Sequence, residues 1–179
     1  RCKEYSASCQ VKVRKAAIGV ELDITEADLK VGVDQLQLTA TVEPSNSIDY
    51  DLQWTTSAAE VAMVDEKGLV TPIGPGEAVI TVIVDRAHQA ECVVRVTQPA
   101  EGVILNKTEL RLQRGTSEVL EATVQPATTN IKTLQWSTSD ESVATVDQAG
   151  KVTAVSLGTA EITVTTLDGG HTAVCQVAV

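Results

Sequence analysis

The chain has 179 residues, 24 acidic against 14 basic side chains for a formal net charge of −10, and few aromatics: two Trp, two Tyr and no Phe. That length fits one or two domains, and the acidic balance excludes nucleic acid and anionic membranes as partners, because both demand concentrated Lys and Arg. No apolar run approaches the ~18 residues that span a bilayer, and with Arg1 in place of an initiator Met the expectation is a processed product or a piece cut from a longer chain.

In chain order, residues 6–13 read first as a strand, with Ala7, Cys9, Val11 and Val13 on one face. From Gly19 onward a series of strands follows. Val20, Leu22 and Ile24 alternate with polar neighbours, as do Leu36, Leu38, Ala40 and Val42, and then Tyr50, Leu52 and Trp54. Short strands are expected at residues 61–64 and 69–71. Ala78, Ile80, Val82 and Val84, and finally Ala90, Cys92, Val94 and Val96, close the unit. Period two belongs to a sheet with one buried and one wet face. Turn chemistry separates the runs at Pro44-Ser45-Asn46, Asp65-Glu66-Lys67-Gly68 and Gly74-Pro75-Gly76. No apolar stripe at helical spacing is long enough for a helix.

The series then recurs. Leu52-Gln53-Trp54-Thr55-Thr56-Ser57 falls on Leu134-Gln135-Trp136-Ser137-Thr138-Ser139, and Gly76-Glu77-Ala78-Val79-Ile80-Thr81-Val82 on Gly158-Thr159-Ala160-Glu161-Ile162-Thr163-Val164. One extra residue near Gly169 and Gly170 lengthens the second copy, so that Cys92 matches Cys175 and, one unit earlier, Cys9. A fixed period of this kind is the signature of repeated modules. The organisation is therefore residues 1–15 as the last strand of a preceding repeat, 16–98 as repeat 1 and 99–179 as repeat 2. About seven short strands per unit, with one Trp on the third, predict an all-β chain of two tandem immunoglobulin-like sandwiches set end to end. The core expected from the alternation contains Trp54, Leu52, Ile80 and Cys92 in repeat 1 and Trp136, Leu134, Ile162 and Cys175 in repeat 2.

The run Ala122-Thr123-Val124-Gln125-Pro126, Leu134-Gln135-Trp136-Ser137-Thr138-Ser139-Asp140, Ser142-Val143-Ala144-Thr145-Val146-Asp147 and Gly150-Lys151-Val152-Thr153-Ala154 closely resembles the bacterial immunoglobulin-like group 2 domain, the module of intimin- and invasin-like surface proteins. The resemblance implies tandem stalk or adhesion modules outside the cell and no catalytic residues. Repeat 1 departs from the pattern at Ala58-Ala59-Glu60 and at Pro72, positions that belong to loops and an edge.

Candidate chemistry is sparse. Asp85, His88 and Cys92, repeated as Asp168, His171 and Cys175, carry metal-ligand side chains. On a strand, however, positions i and i+4 lie ~13 Å apart, too far for one tetrahedral centre. Cys92 and Cys175 read instead as small buried hydrophobes. Because Cys9, Cys92 and Cys175 occupy equivalent places in three units, only Cys2 with Cys9 could pair within the chain, and free thiols are expected. Asp23, Glu26 and Asp28, or Asp49 with Asp51, could present carboxylates to calcium, but neither group forms a calcium loop. No cofactor and no metal are expected. His88 and His171 are the only imidazole bases and sit at repeat-equivalent strand starts, a structural rather than catalytic placement, so no enzyme is expected.

The short linkers at residues 14–18 and 97–102 predict a semi-rigid rod. The expected function is a non-catalytic cell-surface structural and adhesion module, extracellular, monomeric, and meeting a host or neighbouring-cell surface protein or glycan. Accessory glycan binding in a surface glycan-processing system is the alternative. Residues 1–15 could also add as a strand to the edge of a neighbouring molecule.

Overall fold

A computed structural model describes residues 15–48 and 50–179. The strand at residues 6–13, the Cys2–Cys9 pairing, strand addition through residues 1–15 and the carboxylate of Asp49 fall outside the described residues, Lys15 excepted. Repeat 1 runs β1 (Gly19–Leu22), β2 (Glu26–Lys30), β3 (Leu36–Gln37), β4 (Ala40–Glu43), β5 (Leu52–Thr56), β6 (Ala62–Val64), β7 (Leu69–Pro72), β8 (Gly76–Val84) and β9 (His88–Thr97). Repeat 2 follows with β10 (Gly102–Leu105), β11 (Glu109–Arg111), β12 (Ser117–Val119), β13 (Ala122–Gln125), β14 (Leu134–Thr138), β15 (Ala144–Val146), β16 (Lys151–Ala154), β17 (Thr159–Thr166) and β18 (Thr172–Ala178). The chain is all-β, and among the described residues no helix is long and apolar enough to cross a membrane.

One layer of repeat 1 has the strand order β2-β9-β8-β5, with β2 parallel to β9 and the other pairs antiparallel. The facing layer combines the ladder β1-β4 with β3-β7-β6. Repeat 2 copies the plan as β11-β18-β17-β14 against β10-β13 and β12-β16-β15.

Among the described residues nine elements stand in each repeat, in place of about seven, because the expected strand over 36–42 is broken in two and β2 is a further strand beyond the end of the first. Val20, Leu22 and Ile24 do not share one strand. At Asp23 the main-chain N–H donates to Thr39 O (3.1 Å) while the side-chain Oδ1 accepts the Thr39 N–H (2.8 Å), so one residue closes the ladder and the chain crosses to the other layer as β2. Asn106 does the same in repeat 2, through Glu121. A short polar side chain that takes over a backbone donor ends a strand in this way. The second expected strand is likewise interrupted at Leu38 and Thr39, where the Leu38 N–H turns to Gly68 O (2.9 Å).

The interior follows the alternation. Ile80, Val82, Val84, Cys92 and Val94 are fully buried in repeat 1, as are Ile162, Val164 and Cys175 in repeat 2. Each core cluster draws on one repeat only. In repeat 1 Trp54 packs against two clusters at once, one around Ile80 and Cys92 and one around Val82 and Val84.

Candidate functional site at the inter-repeat joint and the sheet edge

The joint is built from residues that the alternation pattern passes over. Thr97, the last residue of β9, accepts the Val31 N–H on its carbonyl oxygen (3.0 Å) and so belongs to repeat 1. The next residue, Gln98, is already bonded to repeat 2. The Gln98 N–H donates to Asn130 Oδ1 (3.0 Å), and Gln98 O accepts the buried Thr129 hydroxyl (2.7 Å). Two residues on, the Ala100 N–H donates to Asp168 Oδ2 (2.8 Å), and His171 Nε2 lies 2.9 Å from Ala100 O, which fits the tautomer carrying its proton there. The Glu101 N–H then reaches Gln125 O (2.7 Å). Gln98 and Ala100 are both buried. Buried main-chain groups need partners, and here loops of repeat 2 supply them from Gln98 onward.

At the front of repeat 1 the equivalent loop is looser. Ser47 Oγ lies 3.5 Å from Ala16 O, and Lys15 Nζ donates to Asn46 Oδ1. Asp85, the counterpart of Asp168, accepts the Asp51 N–H (3.0 Å) instead of a linker amide. Ile48 and Tyr50 are exposed there, at positions occupied by Asn130 and Lys132 in repeat 2.

A second difference lies along the sheet edges formed by β5 and β14. In repeat 2 the Gln148 amide spans the Trp136 main chain: Oε1 accepts the Trp136 N–H (3.3 Å) and Nε2 donates to Trp136 O (3.4 Å). Repeat 1 carries Glu66 at that place, and a carboxylate has no N–H to donate. Trp136 is 7 % exposed, whereas Trp54 is half-buried and lines open grooves beside Glu66. Both indoles pack against the cores, Trp54 less enclosed than Trp136, and the two edges differ in the side chain that lies beside them.

The other sequence-derived candidates scatter. Cys92 and Cys175 are fully buried and in no disulfide, and burial pushes both thiols above their ordinary pKa, with Asp23 and Glu26 adding to the effect at Cys92 and Glu118 at Cys175. Leu52 and Leu134 are half-buried against the cores. His88 begins β9 opposite Val84, while His171 and Asp168 serve the joint. Asp23 closes the β1 ladder, and Glu26 pairs with Arg95 (3.0 Å). Among the described residues no group of three or more His, Cys, Asp or Glu converges as metal ligands do. The turn carboxylates of Asp65 and Asp140 lie below the ordinary range, Asp65 through N–H donors of Leu69 and Lys67 and Asp140 through the hydroxyl and N–H of Ser142. Thr129, Asn130 and Gln148 escaped sequence reasoning; the aligned change from Gln148 to Glu66 was the available signal.

The family model of the bacterial Ig-like domain (group 2) matches twice, over residues 16–94 and 99–177. The chain belongs to that family. Among its relatives, an uncharacterized protein of Clostridium acetobutylicum is 32 % identical over 157 residues, 86 % of this chain and 16 % of that protein. An Ig-like virion protein of Serratia phage KSP90 is 30 % identical over 171 residues, 91 % of this chain and 66 % of the relative. A lacto-N-biosidase of Bifidobacterium bifidum is 42 % identical over 74 residues, 41 % of this chain but 6 % of that enzyme. The chain thus spans under a quarter of the length of the first two curated relatives it matches. Immunoglobulin domains 1–4 of Sidekick-1 share the fold, with a TM-score of 0.52 at 12 % identity over 89 % of this chain and 48 % of that one. Group 2 bacterial Ig-like domains are thus present here as a tandem pair, and in the enzyme-named relative the matching part is a small accessory region.

Proposed function

We propose that this tandem pair is a non-catalytic structural and adhesion segment of a larger extracellular or cell-surface protein, acting as a semi-rigid spacer. The observation that carries the reading is the joint. Thr97 is bonded to repeat 1 and Gln98 to repeat 2, so bending must break a hydrogen bond to one repeat or the other. A linker of flexible coil would instead let the modules reorient freely. Surface location is supported by the family and by the virion protein among the relatives. The partner is a surface protein or glycan of a host or neighbouring cell, met by exposed loops, with the chain itself monomeric. Non-catalysis is supported by the buried thiols and by the imidazole of His171, engaged at the joint.

Small-angle X-ray scattering tests the spacer. The native chain should fit a single inter-repeat arrangement, and a variant with Gly-Ser-Gly-Ser inserted between Thr97 and Gln98 should require a broad ensemble. Equal breadth for both would defeat the reading.

A second reading, accessory glycan binding, is supported by the glycosidase among the relatives and by exposed Tyr50. A glycan array with the native chain and Tyr50→Ala checks it: binding lost in the variant supports this alternative, and an empty array removes it.

A further inference from the structure

The edge of β5 is open where its counterpart is closed. Along β14, alternate residues turn their main chain to β17: the Ser139 N–H donates to Glu161 O (2.9 Å), and the Leu167 N–H reaches Thr133 O (3.0 Å). The N–H and C=O of Trp136 therefore point away from the sheet, and Gln148 satisfies both. The same phase holds in repeat 1, where the Ser57 N–H donates to Val79 O (2.9 Å) and the Asp85 N–H to Asp51 O (3.0 Å). Trp54 accordingly turns its N–H and C=O outward. Among the described residues neither group has a hydrogen-bond partner. An unpaired edge beside a half-buried apolar side chain is a template for another strand.

The groove alongside runs between Asp51, Leu52 and Trp54 on one wall and Val64, Asp65 and Glu66 on the other. It carries three carboxylates, of which Asp65 already accepts the Lys67 and Leu69 N–H groups on Oδ1, and Lys67 lines the adjoining groove with Trp54 and Glu66. In repeat 2 the same places hold Thr133, Asp147 and Gln148, with Lys132 and Lys151 close by in sequence. The acidic character thus coincides with the open edge. Leu52 and Trp54 offer apolar contact to every second residue of an added strand, and the carboxylates offer charge to lysine or arginine side chains of that strand.

We infer that the β5 edge of repeat 1 is a docking site for an extended basic peptide segment of a partner protein, held by main-chain bonds to Trp54 and by lysine or arginine side chains on Asp51, Asp65 and Glu66. The inference is independent of the spacer reading, because it concerns one repeat and not the joint.

The test uses the native chain and a labelled synthetic peptide of alternating lysine and valine, with binding followed by fluorescence anisotropy at physiological salt. Glu66→Gln installs the amide that closes repeat 2 and should weaken binding by about tenfold or more, since two main-chain bonds are lost. Glu66→Ala removes the charge without supplying an amide and should bind more tightly than Glu66→Gln. A peptide N-methylated at alternate amides keeps every charge and should lose the site. No binding to the native chain, equal affinities of the two Glu66 variants, or undiminished binding of the methylated peptide would each overturn the proposal.

Discussion

Gly150 lies against the indole of Trp136: a Cβ added to this glycine, at φ +79°, would stand 2.9 Å from Cζ2 of the ring. Gly68 repeats the relationship with Trp54, at φ +81° and 2.7 Å. The turn therefore needs glycine twice over, for a left-handed backbone and for the space that the ring and a main-chain carbonyl oxygen, of Leu120 at Gly150 and of Leu38 at Gly68, already occupy. Gly150→Ala should cost about 3 kcal/mol, by strain at positive φ together with overpacking. Gly115→Ala, at φ +83° with nothing within 4 Å of the added Cβ, isolates the first of these effects and should cost only about 1 kcal/mol. Urea unfolding of both variants checks the difference, and equal losses would refute the crowding of Gly150 by the Trp136 ring and the Leu120 carbonyl oxygen.

The two tryptophans should not be equivalent. Trp136→Ala removes a buried ring and is expected to destabilise repeat 2 by about 3 to 5 kcal/mol. Trp54→Ala removes a half-buried ring and should cost about 2 kcal/mol in repeat 1. Calorimetry of each variant gives the comparison, and a larger loss for Trp54 would contradict the burial difference.

Acid should unfold the chain partly through its turns. Asp65 and Asp140 are held below the ordinary aspartate value of 3.8 in the folded state, so their contribution is fully present above that value. It is lost as pH falls through the lowered folded values, because protonation then favours the unfolded chain. Stability measured from about pH 5 down to pH 2 should drop in the native protein and drop less in Asp65→Asn. Identical profiles would show that the turn carboxylate does not matter.

The thiols of Cys92 and Cys175 should be inert in the folded chain. Both are fully buried, and burial raises both pKa values, which depletes the thiolate that alkylating reagents attack. Mass spectrometry after iodoacetamide treatment should find both unmodified in native buffer and both alkylated in denaturant. Modification of either in native buffer would place it at the surface.

Period-two alternation was enough to locate Ile80, Val82 and Cys92 on the inner face and to align them with Ile162, Val164 and Cys175, because side-chain direction along a strand is a local property of the backbone. The repeated sequence likewise determined that the chain is two copies of one β module. Where a strand stops is another matter. Leu22 and Ile24 share the alternation, yet the strand ends between them because Asp23 meets Thr39, sixteen residues later, and sequence does not announce that meeting.

The joint and the open edge were decided by tertiary structure alone. Asp168 and His171 carry ligand-type side chains that, read along one strand, are spaced too widely for a metal centre, and only the folded chain brings them to Ala100, with Thr129 and Asn130 at Gln98 beside them. Glu66 and Gln148 differ by one functional group, and that difference acquires meaning only where a sheet ends and a Trp main chain faces outward. Which side chains are apolar is written residue by residue. Which backbone groups remain without a partner depends on every strand that could have supplied one, and that is a property of the assembled sheets.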